Sequence, residues 1–166
     1  MMWPERSARY PVSTAHLEDI MQEKLVSSDD GKRMWVLVLA PGEEAKSTIV
    51  DFAKRNNLKA ASFVALGAFE RAKLGYFDWQ KKEYLPIPVE EQVEVVSLVG
   101  DIAENDKHES DFHGHAVLGR RDGSTRGGHL LEGVVRPTLE VTVTETPAHL
   151  RRRMHPDINV ALIDIS

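Results

Sequence analysis

Apolar residues fall in short runs along most of the chain, and one stretch breaks that rhythm. Met34 to Leu39 is a Val- and Leu-rich run closed by Pro41-Gly42, the pattern of a buried strand. Just beyond it, Ala45, Ile49, Phe52 and Ala53 recur at helical spacing, Glu43 and Glu44 sit where a helix N-terminus favours negative charge, and Asn56-Asn57 suits its end. The pattern predicts one confined helix there. Further apolar or alternating runs follow at Ala60 to Leu66, Ala68 to Trp79, Val93 to Ile102, Phe112 to Arg121 and Leu139 to Thr144, with a weaker one at Ile158 to Ile165. Breaks are expected at Gly67, the Pro86/Pro88 stretch, the polar Glu104 to Asp111 segment, Asp122-Gly123 and Arg136-Pro137.

A doubly wound fold needs a helix between each pair of parallel strands, and this chain offers one main helix for many strands. The class is therefore α+β: a mostly antiparallel β-sheet with one main helix packed on it. In Leu139 to Thr144, Leu139, Val141 and Val143 take one face and Glu140, Thr142 and Thr144 the other, so the core face is assigned and the glutamate faces solvent or a subunit. Glu94 reads the same way. Residues 1–31 mix proline, serine and charge, with a short helix expected from Leu17 to Leu25 and a turn at Ser27 to Gly31. They are read as an extension, 32–146 as the domain, and 147–166 as a segment packing on it through Ile158, Val160, Leu162 and Ile163.

Composition narrows the chemistry. The 166 residues contain no cysteine, which excludes disulfides, thiolate metal sites and a cysteine nucleophile, so any metal must be held by imidazole or carboxylate. The formal net charge is -5, which opposes contact with a phosphate backbone unless basic residues gather on one surface. Pro4, Glu5 and Arg6 interrupt the N-terminal stretch where a signal peptide needs an apolar core, and a cytoplasmic location without membrane insertion is the simplest expectation. No GxSxG, GxxxxGK, GxGxxG or HExxH pattern occurs.

The chemistry concentrates between Asp111 and Gly133. On a strand, residues two apart project from one face, so His113 and His115 converge, and His129 lies just past the Asp122-Gly123 turn where the chain folds back. Three neutral imidazoles around a divalent ion, best matched by zinc, leave a position open to water or ligand. Asp111, Glu132 and Arg126 are nearby partners in sequence. His16, His108, His149 and His155 read as solvated, and Arg151 to Arg153 as a basic surface stretch. Arg120, Arg121 and Arg126 are candidate contacts for an anion or for nucleic acid.

From Lys32 to Thr146 the order of segments resembles the PPC, or plants and prokaryotes conserved, domain: strand, Pro-Gly-Glu-Glu, helix, Gly67-Ala68, EVVSLVGDI, HGHAVLG, GGHLLEG and TLEVTV. The resemblance implies an α+β fold assembled as a homotrimer. Some prokaryotic members carry a metal at clustered histidines, matching His113, His115 and His129 here. In plant members the domain accompanies AT-hooks, but the Arg-Gly-Arg-Pro core of an AT-hook is missing from this chain. The expected function is thus an oligomeric protein with a three-histidine zinc site in a pocket for a small polar or anionic ligand. The alternative is a DNA-associated or partner-binding module.

Overall fold

The computed structural model describes residues 20–146 and 149–165, which form nine strands and one helix. The strands are β1 (Gln22–Asp29), β2 (Lys32–Leu39), β3 (Ala60–Asp78), β4 (Glu83–Val89), β5 (Val93–Glu104), β6 (Ser110–Gly119), β7 (Thr125–Glu145), β8 (Arg151–His155) and β9 (Val160–Asp164), and the helix is α1 (Ala45–Arg55). One sheet runs in the order β1-β2-β7-β3-β5-β8-β9, with β4 on β3 and β6 joined to both β5 and β7. All pairings are antiparallel except the β5–β8 bridge between Glu104 and Arg151. Because β3 pairs with β5 and β7, and β6 also pairs with both, these four strands close a circuit. The core gathers Phe69, Leu98, Ile102, Leu118, Leu139, Val141 and Val143 of these strands with Leu37 and Leu39 of β2, all fully buried.

The helix begins where the sequence places it. The Glu44 side chain accepts hydrogen bonds from the Lys46 and Ser47 backbone N–H groups at 3.1 and 2.7 Å, satisfying donors that the first turn leaves unpaired. The same carboxylate accepts from Gly133 N–H at 3.2 Å, which ties the start of α1 to β7. Ile49, Phe52 and Ala53 are buried, and Asn56 ends the helix.

Several expected breaks do not end strands. Gly67 lies within β3 at an irregularity in its pairing; its φ is +151°, and a Cβ there would stand 2.3 Å from the Thr138 carbonyl oxygen, so only glycine fits. Pro86 and Pro88 belong to β4, an edge strand paired only with β3, where missing N–H groups are tolerated. Arg136-Pro137 is a cis peptide inside β7. The helix expected over Leu17–Leu25 is corrected: Gln22 to Leu25 are in β1, held to β2 through the Asp30-Gly31 turn, while 17–19 lie outside the described residues. Residue 31 is therefore in a hairpin turn. Arg151 to Arg153 form β8 and pair with β9, and their treatment as a surface stretch fails for Arg152, which is 5% exposed. No helix of the described residues is long and apolar enough to cross a membrane.

Candidate metal centre

Strand register brings the three histidines together. His115 on β6 stands opposite His129 on β7 and Val99 on β5, and His113 stands opposite Asp101 on β5. Ring centroids are 5.1 Å apart for His113–His115, 5.1 Å for His113–His129 and 5.3 Å for His115–His129. One nitrogen from each ring lies within 4.8 Å of the others, and among the described residues this is the one His, Asp or Glu group so arranged for a metal. The glycine between the first two histidines has a packing cause. Gly114 is paired with Gly100 on β5, and a Cβ on Gly114 would come within 2.7 Å of the Phe112 ring, itself stacked on Phe63 at 4.9 Å.

The surroundings suit neutral imidazoles. His129 Nδ1 is buried with no hydrogen-bond partner, an orphaned lone pair or N–H that a bound ion or a small shift would satisfy. Burial pushes the His129 pKa down to about 4, and the positive charge available on His113, His115, Lys46 and Arg152 pushes the same way. His115 is lowered by burial and by His113. Asp101 Oδ2 is 3.5 Å from His113 Nδ1, a carboxylate placed to orient that ring and leaving Nε2 as its other ring nitrogen. Burial raises the Asp101 pKa, but the His113 hydrogen bond and the Arg152 charge outweigh it and leave it below the ordinary value. The Tyr84 ring lies 4.6 Å from His129 by centroid, and burial raises its phenol pKa against the opposing Arg152 charge.

Beside the histidines is a cleft of about 490 Å³ between β6, β7, the first turn of α1 and the β8–β9 hairpin. Lys46, Asp111 and Arg152 line it together with His113 and His129. Of the partners named from sequence, only Asp111 reaches this cleft. Glu132 pairs with Lys73 at 3.7 Å, and Arg126 is exposed opposite Leu118. Arg120 donates to Glu91 at 2.7 Å while Arg121 is exposed, so these arginines gather at the far end of the β6–β7 hairpin.

Asp101, Tyr84, Lys46 and Arg152 were not legible as site residues. Asp101 gave no signal until strand register placed it opposite His113, and Arg152 gave none because the whole of β7 separates it from His113 in the chain. The other described histidines, His108, His149 and His155, are exposed as expected, but two of them are paired with one carboxylate. His108 Nδ1 and His149 Nε2 lie 2.7 and 3.4 Å from Glu104, and Lys59 Nζ lies 3.1 Å away, although Glu104 is 3% exposed. His16 lies outside the described residues, and His155 is exposed on β8.

A model of the Plants and Prokaryotes Conserved (PCC) domain matches residues 26–147. Among solved structures, the chain is similar to a plant- and prokaryote-conserved protein from Pyrococcus horikoshii, with 31% identity and a TM-score of 0.75 over 81% of this chain and 92% of that one. It is similar to a metal-containing protein from Archaeoglobus fulgidus, with 28% identity and a TM-score of 0.73 over 86% and 96%. A protein from Ralstonia eutropha described as a DNA-binding candidate shares 27% identity at a TM-score of 0.74 over 80% and 91%. Comparison with curated proteins finds no match.

Proposed function

The chain belongs to the Plants and Prokaryotes Conserved domain family, and from that premise we propose that it is a homotrimeric, cytoplasmic protein that binds zinc through His113, His115 and His129 in a cleft for a small polar or anionic ligand. The observation that carries the reading is the convergence of three imidazoles from two adjacent strands, one ring having a buried nitrogen without a partner. The donor set fits the ion. Neutral imidazoles at about 2.0–2.1 Å suit zinc and leave its charge to be balanced by an incoming ligand. When bound, the ion would supply Lewis acidity; the chain's own residues orient the His113 ring through Asp101 and shield His129 behind Tyr84. The similarity to the metal-containing Archaeoglobus fulgidus protein supports the same reading.

The trimer is supported by the outer face of the sheet. Val64, Leu66 and Val99 are 55, 62 and 49% exposed, and Val96 and Val117 are exposed beside them. Val64 and Val99 stand in the same cross-strand row as His115, so this apolar face runs up to the histidines. A contiguous apolar face on an otherwise charged protein suits an interface. Calorimetric titration of zinc into apo, untagged protein tests the metal reading: one ion per chain is expected, and loss of the heat in a His129→Gln variant. An unchanged titration in that variant contradicts it.

DNA association is the second reading, favoured by the description of the Ralstonia eutropha relative and by the exposed Arg121 and Arg126. It requires binding of duplex DNA that falls steeply with salt. No anisotropy change at low salt with micromolar protein removes it.

A further inference from the structure

Among residues 149–165, which carry the β8–β9 hairpin, only Arg152 is buried, and none of the apolar side chains there belongs to the core cluster. Met154, Leu162 and Ile163 are exposed. The ladder between this hairpin and the main sheet is a single bridge, Glu104 with Arg151. Polar ties hold the rest. At the base Glu104 N–H donates to Leu150 O at 3.0 Å, along β8 Met154 N–H donates to Asp106 Oδ2 at 3.0 Å, and at the tip Lys82 Nζ donates to Asp157 O while Asn159 Nδ2 donates to Lys82 O at 3.1 Å. A segment with little buried apolar surface and exposed hydrogen bonds opens at a lower free energy than core strands do.

The remaining tie ends at the histidines. Arg152 Nη2 donates to Asp101 Oδ1, and Oδ2 of the same carboxylate faces His113 Nδ1 at 3.5 Å. Residues of the hairpin form one side of the cleft, and His113, His129, Tyr84 and Asp101 belong to the other. Because Nδ1 of His113 is turned to Asp101, Nε2 is the nitrogen left for an ion, and an imidazole ligated at Nε2 keeps its proton on Nδ1. That fixes a donor toward the carboxylate. Without an ion either ring nitrogen can carry the proton, and the tautomer with a bare Nδ1 sets a lone pair against Asp101. Loading the centre therefore steadies the one carboxylate on which the hairpin's buried cation rests.

We propose that the β8–β9 hairpin is a metal-responsive strap, which opens about its Glu104–Leu150 base when the histidine centre is empty and is held onto Asp101 when the centre is loaded. This rests on the metal reading of His113, His115 and His129. The cleft then keeps its second wall firmly in place only in the metal-bound protein. Coupling of this kind is reciprocal, so a weaker grip of the hairpin on Asp101 also lowers metal affinity.

Hydrogen–deuterium exchange followed by mass spectrometry, on untagged protein in apo and zinc-saturated form, tests the strap, with the zinc content of each sample measured alongside. In apo protein the hairpin amides are expected to exchange at least tenfold faster than those of β7. Zinc should slow them at least tenfold, while amides of β1, which has no tie to Asp101, change less than twofold. Asp101→Asn at saturating zinc should stay loaded and lose that slowing. Asn159→Gly accommodates the positive φ of 56° at the tip and removes the side-chain contact with Lys82; it should speed hairpin exchange in both forms and keep the zinc-dependent ratio. Circular dichroism checks that both variants are folded. Zinc uptake with unchanged hairpin exchange overturns the strap and leaves the metal reading intact. Apo hairpin amides as slow as those of β7, slowing shared equally by β1, or slowing retained in full by Asp101→Asn also overturn it. Absence of zinc uptake sinks the metal reading and the coupling with it.

Discussion

Arg152 and Asp101 are joined by a hydrogen bond from Nη2 to Oδ1, and the other oxygen of that carboxylate faces His113 Nδ1 at 3.5 Å. One aspartate thus connects the C-terminal hairpin to the histidine cluster. Losing the charge of Asp101 removes both the orienting contact on His113 and the main partner of a buried cation. Asp101→Asn is expected to lower zinc affinity by about 10–100-fold, the usual effect of losing an orienting partner, while all three histidines stay in place. Competition titration against a zinc-sensitive dye reads it; affinity within a factor of two of wild type rules out the positioning role.

The pH dependence follows from His129. Its folded pKa of about 4 is below the ordinary 6.5, so the unfolded chain takes up a proton first as pH falls. The contribution of this ring to apo stability is therefore complete above about 6.5 and is lost progressively down to about 4. Wild type should lose more Tm between pH 7 and pH 4.5 than a His129→Gln variant does. Parallel pH profiles for the two proteins contradict the burial of a neutral ring.

Glu104 makes a second prediction about the C-terminal segment. The His108 and Lys59 hydrogen bonds hold its pKa down at about 2 against the opposing effect of burial, with further help from the Lys59 and His149 charges. A folded pKa below the ordinary 4.5 means that this stabilisation is present above pH 4.5 and lost as pH falls toward 2. Its backbone N–H also donates to Leu150 O at 3.0 Å, so the residue binds the segment leading into β8. Glu104→Gln should loosen that attachment and speed tryptic cleavage at Arg151 to Arg153 at pH 8. Cleavage at the wild-type rate shows that Glu104 does not anchor the segment.

Leu66 tests the apolar face. A glutamate there would add a second negative charge beside Glu140 on the surface proposed to be covered in the trimer, while the exposed side chain leaves the monomer core untouched. Leu66→Glu is expected to convert a three-subunit species into monomer by light scattering with little change in the secondary structure signal. A wild-type protein that is itself monomeric at the same concentration ends the trimer reading.

Much of the centre was legible because it depends on local rules. His113 and His115 share a face through strand alternation, and His129 meets His115 because the Asp122-Gly123 turn sets the β6–β7 register. The helix was legible from spacing and from Glu43-Glu44. What was hidden depends on pairings between distant segments. Arg152 looks solvated between two arginines, yet strand alternation turns it inward, against Asp101 and Asp111. Glycine and proline usually interrupt ladders, so in the sequence they mark strand ends. At Gly67 the close Thr138 carbonyl demands glycine within a continuing strand, and at Pro86 and Pro88 the free edge of β4 tolerates them.

Whether His113, His115 and His129 hold a divalent metal is read from the metal content of untagged protein by mass spectrometry, for wild type and for His113→Ala/His115→Ala. Close to one zinc per chain is expected in wild type and a loss of at least tenfold in the double variant, with the variant still folded by circular dichroism. Equal, sub-stoichiometric metal in both proteins would contradict metal binding by these residues.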